Sequence, residues 1–91
     1  MAVEDKEKAK ALLEYFKSEY PNYNIEYKYV MHMRYEYRFI ERGRILYRLA
    51  LPLDFVDDLS VEEIKASLER QEWKKKLEAN KGSTTYIGKE K

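Results

Sequence analysis

Arginine side chains carry a planar fork of donors that suits phosphates and carboxylates. Five of the six in this chain, Arg34, Arg38, Arg42, Arg44 and Arg48, fall within fifteen residues. From Glu26 to Arg48 six basic residues stand against Glu26, Glu36 and Glu41. A two-stranded ribbon bearing Lys28, Arg34, Arg38, Arg44 and Arg48 on one face would fit a major groove or follow a phosphate backbone. The same charges also serve as a solvated face, with Glu36 opposite Arg48, that guards a sheet edge against aggregation.

Catalytic chemistry has less to draw on. The chain has no cysteine and one histidine, His32, in the middle of an alternating run. Ser18, Ser60, Ser67 and Ser83 sit in a helix, at a cap, in a helix and in the tail, without a base placed for them. Asp54, Asp57 and Asp58 are the nearest approach to a carboxylate cluster, and acids just before a helix more often complement its positive end than hold a metal. The sequence therefore assigns no catalytic residue, no metal ligand and no cofactor. A small metal-independent nuclease built on His32 with Arg34 and Tyr35 is the weakest of the functional readings.

Those side chains need elements to hold them. Ala9, Leu12, Leu13, Phe16 and Tyr20 recur at helical steps, predicting an amphipathic helix over about residues 4–20 that Pro21 stops. From Ile25 to Phe39 every odd residue is apolar or aromatic, while the even ones are mostly charged, which predicts one strand of roughly 48 Å. A second alternating run covers Ile45 to Phe55. Placing both odd sets on one face calls for a three-residue loop, Glu41 to Gly43, with Phe39 facing Ile45 and Pro52 facing His32.

Ser60 and Glu63 form a capping-box signature, with Leu59 and Ile64 as its hydrophobic staple. They predict a helix from Val61 to about Asn80. Its apolar stripe changes side, since Trp73 and Leu77 lie roughly opposite Ile64 at 100° per residue. The β-prone tail from Ser83 to Ile87 offers a short last strand.

The tyrosines sharpen this picture. Six of nine, Tyr20, Tyr23, Tyr27, Tyr29, Tyr35 and Tyr37, lie within eighteen positions. Tyr27, Tyr29, Tyr35, Tyr37 and Tyr47 share the odd face with Met31, Met33, Leu49, Leu51 and Leu53, so their rings belong to the core and their hydroxyls to its margin. Two helices cover such a long hairpin poorly, which makes Tyr27, Tyr29, Trp73 and Leu77 the expected contacts of a dimer.

With 91 residues, 11.1 kDa and a net charge of +1, the chain is read as one domain, residues 1–91, with a thin core and no global field toward nucleic acid or membrane. No run approaches the roughly 18 apolar residues of a membrane span. The lack of cysteine and of a signal segment places it in the cytoplasm. Abundant Glu and Lys against few amides resembles the composition of thermophilic proteins.

In outline, helix, hairpin, helix resembles the double-stranded RNA-binding domain. That family opens its second helix with a basic cluster, where Val61-Glu62-Glu63-Ile64 stands here, and the resemblance is not adopted.

The expected fold is α+β, α-β-β-α, with a long antiparallel hairpin covered on one face by two helices and a short C-terminal strand. The expected function is a non-enzymatic interaction module, a homodimer with a protein partner. Nucleic-acid binding through the basic face stands as the alternative.

Overall fold

A computed structural model describes residues 4–30 and 33–90. The chain is α+β: a four-stranded mixed sheet in the order β1-β2-β3-β4 with four helices. The elements are α1 (Lys6–Glu19), β1 (Asn24–Val30), β2 (Arg34–Glu41), β3 (Arg44–Pro52), α2 (Leu53–Asp58), α3 (Val61–Arg70), α4 (Trp73–Ala79) and β4 (Thr84–Tyr86). The first three strands form an antiparallel meander, and β4 joins β3 in parallel.

The expected single strand from Ile25 to Phe39 is two strands. The chain reverses between Val30 and Arg34, and Tyr27 faces Tyr37 while Tyr29 faces Tyr35. Facing residues sum to 64, an even number, so odd residues stay on one face through the reversal. Alternation alone cannot reveal a turn that preserves parity.

The β2–β3 turn also differs from expectation. Its two central residues, Arg42 and Gly43, have φ of 52° and 77°, the left-handed pair of a type I′ turn, whose twist matches that of the flanking strands. The parity cost of this shorter loop is cancelled by a bulge between Phe39 and Ile40, across which Ile40 faces Ile45 but Phe39 faces Tyr47. Beyond the bulge the odd residues share one face as expected, with every partner shifted by two: Tyr35 faces Leu51, and Pro52 faces Arg34.

β3 ends at Pro52, three residues short of the expected Phe55. Pro52 takes an extended conformation and Leu53–Asp58 turns into α2, which still buries Phe55, now together with Val56. The Lys8 ammonium donates to the carbonyls of Val56, Asp57 and Leu59 at 3.0, 3.1 and 2.9 Å. It thereby satisfies acceptors that the end of a short helix leaves open.

The capping box forms as read. Ser60 Oγ accepts from the Glu63 amide and the Glu63 carboxylate accepts from the Ser60 amide. The long helix beyond it is broken at Glu72, whose left-handed backbone (φ 54°, ψ 54°) separates α3 from α4. That break explains the change of face. α4 swings Trp73 and Leu77 into the same core as Ile64 and Leu68, at 1% exposure or less.

The core lies between the odd-numbered sheet face and the helices, with Phe16 at its centre, near Tyr37 (4.8 Å between ring centroids), Trp73 (5.0 Å) and Phe39 (6.0 Å). Tyrosine hydroxyls tie its margins. Tyr37 donates to the Ala9 carbonyl, Tyr27 to Glu4 and Tyr20 to Glu78, while Tyr35 accepts from the Asp5 amide. At the other margin Tyr15 donates to Glu69, and the Trp73 indole donates to both.

Candidate functional site: the uncovered sheet face

The sheet face turned away from the core carries the even-numbered residues of β1 and β2 and their cross-strand partners. Its rows follow from the register: Arg34 beside Pro52; Lys28, Glu36, Ala50 and Tyr86; Glu26, Arg38, Arg48 and Thr84. Four of the expected basic residues, Lys28, Arg34, Arg38 and Arg48, thus meet on one surface with two acids, Glu26 and Glu36.

Arg44 does not join them. It pairs with Glu41 on the tip side of the bulge. Partners across a ladder point to the same side, so Arg44 shares the helix-side face of the odd residues in β2. An expected three-residue loop hid this, because only the bulge flips the face between Arg44 and Arg48.

Charge on this face is partly spent internally. Arg38 reaches one Glu36 carboxylate oxygen with Nε and Nη2 at 3.2 and 3.1 Å, and Glu36 is only 8% exposed. Among the described residues Lys28 and Arg48 have no ion-pair partner, and neither has Arg34. The Arg34 Nε is buried with no hydrogen-bond partner among the described residues, and its guanidinium lies 5.9 Å from the centre of the Tyr86 ring.

Beside it runs a groove of about 270 Å³ lined by Met33, Arg34, Ala50, Pro52, Tyr86, Ile87 and Gly88. Among the described residues Met33 and Tyr86 are the two large hydrophobic side chains that stand out in solvent, at 60% and 67% exposure. Sequence reading passed over both. Met33 sits at an odd position, which alternation assigns to the core, and Tyr86 lies in a tail whose pairing with β3 aims it outward. The pairing of Thr84–Tyr86 itself was foreshadowed by its β-prone residues.

A larger depression between α3 and the tail, about 570 Å³, is less available. Glu90 there is held by Arg70 and Ser67, and Lys89 by Asp58. The Arg70 guanidinium beside Glu90 holds that carboxyl below its ordinary range. Asp58 is thus an ion-pair partner, and no group of three His, Asp or Glu side chains comes together among the described residues.

The expected dimer contacts separate into two pairs. Trp73 and Leu77 are enclosed in the core of this chain and present no surface to a partner, because the Glu72 break gives their stripe an intramolecular destination. Tyr27 and Tyr29 are half-buried on the edge strand β1, and the Tyr29 hydroxyl has no partner among the described residues. For the nuclease reading, His32 lies outside the described residues. Tyr35 is buried on the helix side, on the opposite face from Arg34, so these two do not converge.

Among the described residues no helix is long and apolar enough to cross a membrane. Comparison with protein-family models, curated proteins and solved structures finds no match.

Proposed function

We propose that this chain is a non-enzymatic interaction module that holds a protein partner against its uncovered sheet face. The carrying observation is that the two large hydrophobic side chains exposed among the described residues, Met33 and Tyr86, line one groove together with Arg34, whose Nε has no partner among those residues. Tyrosine, arginine and methionine are enriched where proteins meet. Arg34 fixes the chemistry of the occupant as a protein segment that sets a carboxylate among apolar side chains.

The test is a photo-crosslinking residue at Thr84, at the rim of this face, used in the native host and followed by reconstitution with the purified captured protein. Binding should weaken by tenfold or more in Arg34→Glu and Tyr86→Ser and stay unchanged in Lys75→Ala, which lies on α4. If the two face variants bind as wild type, the groove is not the contact.

A second reading rests on the convergence of Lys28, Arg34, Arg38 and Arg48 beside Tyr86, since cations with an exposed ring suit a nucleic-acid strand. It predicts oligonucleotide binding that falls steeply with salt and is lost when Arg34, Arg38 and Arg48 become alanine. Binding unmoved by those changes would end this reading.

A further inference from the structure

The order β1-β2-β3-β4 leaves β1 as a free edge. Natural edge strands are usually short, bulged, interrupted by proline, or guarded by charges. β4, at the opposite edge, is only three residues long. β1 is seven residues, Asn24-Ile25-Glu26-Tyr27-Lys28-Tyr29-Val30, without proline or glycine and without a bulge in its pairing to β2. Its two charges, Glu26 and Lys28, are exposed and have no salt-bridge partner among the described residues. Glu36, which faces Lys28, is already held by Arg38.

This strand is complementary to itself. A two-fold axis through Tyr27 pairs two copies antiparallel so that facing numbers sum to 54. Glu26 of each copy then faces Lys28 of the other, Ile25 faces Tyr29, and Tyr27 faces Tyr27. Shifting the sum to 52 sets Glu26 against Glu26, and a sum of 56 sets Lys28 against Lys28, so both neighbouring even registers oppose like charges. Odd sums turn the aromatic helix-side face of one copy toward the charged face of the other. Only the register centred on Tyr27 matches face to face and charge to charge.

We infer that β1 is the seam of a homodimer in which two copies join edge to edge through this register and extend the sheet to eight strands. Two cross-strand ion pairs select the register, and two half-buried Tyr27 side chains meet at the axis. The occupant is a second copy because the complementarity is isologous, the pattern a closed two-fold dimer requires. The inference does not rest on the groove described above, which belongs to a different surface.

The experiment is light scattering after size exclusion over a range of concentrations, with charge variants of β1. Wild type should run at twice 11.1 kDa. Lys28→Glu and Glu26→Lys, each of which opposes like charges twice, should weaken the dimer on the order of tenfold or more. The double variant Glu26→Lys with Lys28→Glu re-creates both pairs with their signs exchanged and should restore it.

Amide hydrogen exchange supplies a second readout, since β1 amides should be protected in wild type and in the double variant but not in the singles. A wild type of 11.1 kDa throughout would overturn the inference. So would a dimer indifferent to the single charge reversals, or a double variant that stays monomeric. Partner capture through Arg34 and Tyr86 is measured separately, and its loss would leave the dimer result standing.

Discussion

A lysine on a helix is normally read as a solvated charge. Lys8 belongs to α1, yet its ammonium ends in the carbonyl cluster that closes α2, donating three hydrogen bonds within 3.1 Å. Charged donors to otherwise open carbonyls contribute more than neutral ones. Lys8→Met keeps the stem and removes the donor, and it should lower unfolding stability by about 1–2 kcal/mol in a denaturant titration. A shift within the error of the extrapolation would mean that water serves those carbonyls equally well. Nothing in the sequence marked Lys8, because its targets lie about fifty residues away. The tyrosines were more legible: sharing positions with leucines foretold buried rings, though not which carbonyl or carboxylate each hydroxyl would reach.

Among the elements, what could be read depended on whether the signal was local. α1 and its stop at Pro21, the Ser60–Glu63 capping box and the two-residue alternation all depend on neighbours within a few residues, and all are present. The misread features are those that leave local pattern intact. Examples are the reversal after Val30 that keeps parity, the bulge beside Ile40 that cancels a two-residue turn, and a helix break at a residue with no breaking propensity.

Glu72 holds a left-handed backbone, a conformation that costs an L residue roughly 1 kcal/mol and that glycine adopts freely. Glu72→Gly should therefore raise unfolding stability by about 0.5–1 kcal/mol, measured by the denaturation midpoint. A loss of stability would mean that the Glu72 side chain contributes more than its backbone costs. Of the candidate surface, Lys28, Arg34, Arg38 and Arg48 were legible from alternation. Arg44 and Tyr86 were not, since their faces are set by a bulge and by a parallel strand pairing.

Over the whole molecule the large share of tyrosine gives stability a definite dependence on pH. Tyr15, Tyr20, Tyr23, Tyr27, Tyr35 and Tyr37 are each pushed above the ordinary tyrosine value, in every case first by burial. Hydrogen bonds to Glu69, Glu78 and Glu4 add to this at Tyr15, Tyr20 and Tyr27. The folded chain thus favours the neutral phenol more than the unfolded chain does. Its contribution is fully present below about pH 10, the unfolded value, and is lost as pH rises toward the folded ones. Tyrosinate absorbance and circular dichroism followed together should show a group of tyrosines ionising late and in step with unfolding above about pH 10. Gradual ionisation of all tyrosines while the fold persists would contradict this account of the core.

The parallel strand β4 has a bearing on the order in which the chain assembles. β1, β2 and β3 are joined by short reversals and can zip together as soon as they are made. Thr84, Thr85 and Tyr86 reach Arg48, Leu49 and Ala50 only after three helices have intervened. Ile87 then seals the end of the sheet, its amide donating to the Ala50 carbonyl. During synthesis the outer edge of β3 therefore stays unpaired until residues 84–86 have been made. The aggregation hazard of this protein is concentrated in that interval, and slowing elongation between residues 53 and 84 would lengthen it.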